Sequence, residues 1–353
     1  MPTRRDFLAA SAVTLFLPAN LFPQAATDAN PRATPQATHL NLAAIDHARI
    51  LAAAARAVAR VPSANRDLRS DAYLNLTLDI PALAAASMVD PASAPGFAEA
   101  ARTHLTAWFT APETRLPATP ANAMFEPLLD LMLLAEVAQA LPLLALDLAL
   151  AAALKLWFRE YLTYLTTART ALLARDARDH HGSSWLLQTA AYAHLLADEG
   201  ILTECRHRFK TATLRAQINA SGLFPHELTS ENPYRDSLYN LDLLAGVCLL
   251  LSTRFESMWN HELQDGPGMR VAIARHVPYI RNRATWAYPA DKSFFNQLPC
   301  RRPALLFAAR AYSEPEYAAL WQTLNPDPTE PAILRTFPVR QPILWLAQAS
   351  ARP

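Results

Sequence analysis

Glycine occurs only seven times in these 353 residues, against 28 prolines and an evident surplus of alanine. This ratio limits the fold more than any single motif does. Tight hairpins, bulges and phosphate-cradling loops draw on glycine, because it alone enters positive-φ backbone without steric cost. Alanine is the strongest helix former and proline the strongest helix terminator. The chain therefore reads as amphipathic helices separated by proline and polar turns, with strand-like alternation scarce. Helices are predicted over 43–60, 98–109, 126–139, 143–166, 183–197, 201–219, 237–252, 304–312, 316–324 and 343–349. No fixed-period repeat is visible, which argues against a solenoid of short identical units.

The stretch 127–158 is apolar enough to raise the question of a membrane span. Asp130, Glu136, Asp147 and Lys155 interrupt it, and Pro142 divides it. A charged group at the centre of a bilayer costs about 2.5–3.5 kcal/mol. Two buried helices are the better reading. At the start, Arg4-Arg5-Asp6-Phe7 leads into a short apolar run that ends at Leu17, with small residues at Ala19, Ala25 and Ala26. Paired arginines before an apolar run too short to span comfortably read as a twin-arginine-type signal peptide over residues 1–26. The remainder, 27–353, reads as a single domain of an exported, periplasmic monomer with no membrane contact after cleavage. Lys and Arg total 32 against 31 Asp and Glu, so no global field draws in nucleic acid. Cys205, Cys248 and Cys300 allow at most one disulfide, and neither cysteine nor histidine spacing suits a metal site. No metal and no cofactor is expected.

Two stretches carry the chemistry. One is Asp179-His180-His181-Gly182-Ser183-Ser184-Trp185-Leu186-Leu187-Gln188. The other runs from Phe224-Pro225-His226-Glu227-Leu228 through Asn232-Pro233-Tyr234-Arg235-Asp236-Ser237-Leu238-Tyr239-Asn240-Leu241. Together they resemble the alginate-lyase superfamily of helical-toroid polysaccharide lyases, which reads Asn-Asn-His-Gly-Thr at the first. At the second that family has Pro-x-Glu-Leu-x-Arg followed by Tyr-Ser-Leu-Phe-Asn-Leu. Further likeness lies in Trp108-Phe109-Thr110-Ala111-Pro112, in Trp286-Ala287-Tyr288-Pro289-Ala290-Asp291, and in Phe337-Pro338-Val339-Arg340-Gln341-Pro342. It covers about residues 97–346, whereas 27–96 match poorly and lack the family's aromatic stretch. The resemblance implies an all-α fold, an incomplete α/α toroid with inner and outer helix layers. The implied reaction is β-elimination on a uronate-containing polysaccharide such as alginate, with an acidic polysaccharide or oligosaccharide as partner.

Elimination from a 4-O-linked uronide removes the C5 proton, which lies α to a carboxylate. Donors must neutralise the charge that builds there, a base must take the proton, and an acid must protonate the leaving oxygen. In the family an Asn-His pair, an Arg and a Tyr fill these roles. His181 matches the family histidine, and His180 stands at the family asparagine, where it can still donate to a carboxylate. The family arginine falls on Ser230 and the family tyrosine on Asp236, so two roles are displaced. Tyr234, Arg235 and Tyr239 are the nearby residues able to fill them, with core packing or a solvated surface as the alternative. Trp185, Gln188, Glu227, Asp236 and Asn240 complete the substrate-binding candidates, although a structural tether suits Glu227 and Asn240 as well. Arg301, Arg302 and Arg340 either bind a polyanion or pack against closing helices. Three functions stay open: a lyase, a catalytically lapsed carbohydrate-binding protein of the same fold, and an α/α-toroid glycoside hydrolase using Glu227 and Asp236.

Overall fold

The computed structural model describes residues 40–119 and 126–351, so the expected signal segment lies outside the described residues. The described chain opens with α1 (Leu42–Ile45), α2 (His47–Ala59), α3 (Asp71–Val89) and α4 (Ala94–Phe109). There follow α5 (Glu126–Met132), α6 (Leu134–Ala140), α7 (Leu148–Thr167), α8 (Arg169–Arg175) and α9 (His180–Leu196). A π-helical turn, Phe209–Thr213, joins α10 (Glu199–Arg208) to α11 (Leu214–Gln217). The C-terminal part holds α12 (Pro233–Leu251), α13 (Met269–Arg281), α14 (Pro303–Tyr312), α15 (Pro315–Thr323), α16 (Pro331–Arg335) and α17 (Pro342–Ala351). No strand occurs among the described residues, and β pairing is confined to two isolated bridges.

Burial sorts these helices into layers. Helices α3, α6, α9 and α12 are buried on nearly every side, as expected of helices that are apolar all round. They touch in sequence, α3 to α6, α6 to α9 and α9 to α12, with α14 next to α12. Helices α2 and α4 lie on α3, and α7 and α10 lie on α9. Each of these four buries a single stripe of residues. The result is the all-α toroid with inner and outer layers. Gly246 sets the closest inner approach, because a Cβ there would lie 2.9 Å from Leu187 Cδ1 on α9.

Proline punctuation fails at one inner helix. Helix α3 runs straight through Pro81, although an interior proline removes one hydrogen bond and ordinarily ends or kinks a helix. The carbonyl that Pro81 cannot serve is that of Thr77, and it accepts Arg340 Nη1 at 2.9 Å instead. A buried carbonyl left alone would cost about as much as a lost hydrogen bond. The C-terminal segment thus completes an N-terminal helix. Arg335 does similar work, donating to the carbonyls of Leu68, Arg69 and Ser70. Arg302 is buried against Asp242, and Arg301 pairs with Asp46 at 2.7 Å. Packing is therefore the role in which the structure places Arg301, Arg302 and Arg335, whereas Arg340 both packs and lines a cavity. Helix α13 also lay outside the predicted set. All three cysteines are free and buried.

Candidate active site

Helices α9 and α12 each start earlier than their periodicity indicates, at His180 and Pro233 rather than 183 and 237. Both quoted motifs therefore sit on first helical turns. Asp179 caps α9, its Oδ1 accepting the His181 N–H at 3.0 Å. Gly182 lets that turn rest on the preceding loop, since a Cβ would collide with the Ala177 carbonyl oxygen. In α12, Pro233 takes the first helical position, where a missing N–H costs nothing. The next two amides, of Tyr234 and Arg235, donate to the carboxylate of Asp291 at 2.8 and 3.0 Å. Burial lifts the Asp291 carboxyl to about 6, against the lowering effect of these two donors.

Glu227 joins the two helix starts. Its Oε1 accepts the His180 N–H at 2.6 Å and Asn240 Nδ2 at 2.8 Å, while Oε2 lies 3.0 Å from His180 Nδ1. Asn240 also donates to Gln217 Oε1 at 2.9 Å, and Gln217 Nε2 donates to the carbonyls of Ala177 and Asp179. The Glu227 side chain is 1% exposed. Its oxygens are spent on this tether.

The two imidazoles are held differently. Burial works to lower the His180 pKa, but the hydrogen bond and charge of Glu227, helped by Asp236 and Asp179, raise it above the ordinary value. His181 stacks on His180 with ring centroids 4.6 Å apart. Its Nδ1 lies 2.9 Å from Asp179 Oδ1. Burial tends to raise the Asp179 pKa, yet the bond and charge of His181 bring it down to about 2. Nδ1 of each ring is thus engaged by a carboxylate, which orients the imidazole.

Tyr239 lies against the other ring, its centroid 5.4 Å from that of His180. Burial, then the fields of Asp130, Asp236 and Glu227, push its phenol well above the usual range. It stays protonated at neutral pH. One helical turn earlier, Asp236 Oδ1 accepts Arg235 Nε at 2.8 Å and Oδ2 accepts Ser230 Oγ at 2.7 Å. Ser230 and Asp236, which stand where the family has its arginine and tyrosine, therefore bond to each other.

His180, His181, Arg235, Asp236 and Tyr239 are thus brought together, with Glu227 and Asn240 behind them. Tyr234 is not, which corrects its catalytic reading. It is fully buried, packed edge-on against Trp286 and Phe295, and its hydroxyl donates to the Tyr279 carbonyl at 3.0 Å. Trp185 and Gln188 are corrected likewise. Trp185 Nε1 donates to the Leu165 carbonyl, and Gln188 bonds Tyr161 and the Leu128 carbonyl with no exposed surface. These side chains position α9 rather than meet a ligand. Sequence reasoning missed the orienting part played by Gln217 and Asp291. Of these, Asp291 carried a signal, as the last residue of the Trp286–Asp291 motif.

His180, Glu227 and Asp236 bring potential metal-ligating atoms within 4.8 Å of one another. The donor set suits a cation poorly. His180 is biased toward its charged form, and Asp236 is already matched to a guanidinium.

Residues 48–286 match a family model described as alginate lyase. The match begins well before residue 97, so the poor likeness expected over 27–96 is corrected in part. The fold is similar to that in a crystal structure of an alginate lyase from Bacteroides ovatus, with a TM-score of 0.66. That similarity covers 78% of this chain and 74% of the other at 19% identity. No curated protein matches the chain.

Proposed function

The chain belongs to the alginate lyase family, and on that premise we propose that it cleaves a uronate-containing polysaccharide by β-elimination. The observation that carries this reading is the pair of stacked imidazoles, each fixed through Nδ1 by a different carboxylate and bordered by a protonated phenol. Neighbouring titratable groups pushed to different protonation states are the signature of acid–base work. His180, biased toward its charged form by Glu227, turns Nε2–H toward the substrate carboxylate and with Arg235 neutralises it. His181, its tautomer set by Asp179, takes the C5 proton. Tyr239 gives its proton to the leaving oxygen. Each group contributes what general acid–base and electrostatic catalysis require.

The hydrolase alternative draws no support from the geometry. Two carboxyl groups working across a glycosidic bond stand about 5–10 Å apart, whereas the nearest oxygens of Glu227 and Asp236 lie within 4.8 Å and Glu227 is buried. The lapsed-binding alternative is favoured by one observation, the closure of Arg235 and Ser230 onto Asp236. Export through the twin-arginine route, with the periplasm as destination, belongs to the same proposal and rests on Arg4-Arg5 and the apolar run that follows.

Incubation with several uronate polymers tests the reaction. A lyase yields the absorbance of an unsaturated uronate product. Reducing sugar without that absorbance, or binding without either, would replace this reading with one of the alternatives.

A further inference from the structure

A cavity of about 450 Å³ lies between α2, α3 and the segment 326–341. It shares no lining residue with the imidazole cluster. One face of α2 lines it: Arg49, Ala53 and Arg56 follow at spacings of four and three, which places them along a single stripe, and Arg60 follows just past the helix end. Arg340 lines it from the C-terminal side. Four guanidinium groups thus converge on one cavity, with Asp79 and Asp327 as the opposing carboxylates.

The cations are incompletely matched. Arg56 is exposed and has no ion-pair partner among the described residues. Arg49 pairs through Nη2 with Asp46 at 3.0 Å, but its Nη1 stands 3.6 Å from Asp327, beyond a good hydrogen bond, and its buried Nε has no partner. Arg340 spends Nη1 and Nη2 on the carbonyls of Thr77 and Leu334, with the buried Glu136 carboxylate 3.8 Å from Nη1. Its Nε is buried without a partner in a side chain only 6% exposed. A buried donor left unsatisfied costs about 1–3 kcal/mol, more when charged. Asp79 cannot relieve this, because it is buried against Arg60 at 2.8 Å.

We propose that this cavity is a second binding site, which takes the carboxylate of an acidic sugar. The guanidinium fork matches a carboxylate in two hydrogen bonds, and the volume lies within the range of small-ligand pockets. Leu78, Ala82 and Phe337 supply an apolar wall for the C–H face of a sugar ring. Recognition of the carboxylate stands on the arginines alone. The choice of a sugar rests on the lyase reading.

The test is titration of the full chain with mannuronate monosaccharide, which has no linkage to eliminate and so reports binding whether or not the protein turns over polymer. Mannose at matched ionic strength is the neutral control. Mannuronate is expected to bind at least about tenfold more tightly than mannose, the worth of one charge-assisted hydrogen bond. Arg56→Gln should weaken mannuronate binding by about the same factor, whereas His181→Ala should leave that Arg56-dependent component in place. Equal binding of mannose, binding lost with His181 but indifferent to Arg56, or no binding would each overturn the proposal. Displacement by inorganic phosphate at equal concentration would overturn the sugar assignment. A protein without lyase activity that still shows Arg56-dependent binding would fail the functional reading alone.

Discussion

Helix α12 carries two aspartate–arginine pairs, six residues apart, that do opposite things. Asp242 is wholly buried with Arg302, from the remote segment that opens α14, and its Oδ1 also accepts the Ala304 amide at 3.1 Å. Burial raises its pKa and Arg302 opposes the rise. That pair has one use, to fix the start of α14 against the inner layer. Asp236 is held by its own neighbour Arg235 and by Ser230, and Arg235 keeps 22% of its side chain exposed. The chemistry is the same, a guanidinium on a carboxylate. What differs is access. A pair whose partner comes from a distant segment cannot change without unfolding something, whereas a local pair at a helix start can open to a substrate.

The largest expected effect breaks the buried pair. Arg302→Met leaves the Asp242 charge uncompensated in the core, and denaturant unfolding should show a loss of about 3–5 kcal/mol. A loss no larger than that of a surface substitution would show that the two pairs do not differ as argued.

Next comes the local pair. Asp236→Tyr alone strands Ser230 and Arg235, and Ser230→Arg alone places a second cation beside Arg235. The double variant restores the family's arginine and tyrosine together. Elimination rates should therefore be non-additive, with a coupling of about 0.5–3 kcal/mol in favour of the double. Simple additivity would mean that the contact between positions 230 and 236 does not matter to the reaction.

Glu227→Gln should act mainly on pH dependence. The raised His180 pKa means that its contribution to stability is present at low pH and lost as pH rises through the folded value, above 6.5. Without the Glu227 charge that loss, and the alkaline fall in activity, should move to lower pH. An unchanged profile would remove His180 from the account.

Asp291→Asn is the smallest. The Asp291 carboxyl is raised from 3.8 to about 6, so its protonated form favours the fold, and stability should fall as pH rises between those values. Asparagine cannot ionise and should flatten that slope, which unfolding curves across pH 4–7 would resolve.

Much of this was legible in the sequence. Scarce glycine and abundant alanine indicated helices, and the two motifs indicated which helix ends matter. Three things were not legible. Helix α3 was hidden by Pro81, because the arginine that replaces its lost hydrogen bond lies 259 residues away. Tyr234 and Tyr239 look equivalent in a sequence, yet they differ by five residues, which points them to different sides of α12. Both are buried, but one packs against Trp286 and Phe295 while the other meets His180. The orienting residues Gln217 and Asp291 act through backbone groups of segments remote in sequence, and no local pattern records such contacts.

The most direct test of the imidazole–phenol arrangement is the initial rate of unsaturated-product formation by wild type, His181→Ala and Tyr239→Phe, each checked for unchanged far-UV circular dichroism. The arrangement predicts a measurable wild-type rate that falls by about 10²–10⁴ in each variant, because each change removes one end of the proton transfer while the helices stay in place. Wild-type elimination that survives both changes would contradict it, and so would a folded wild type that forms no unsaturated product on any uronate.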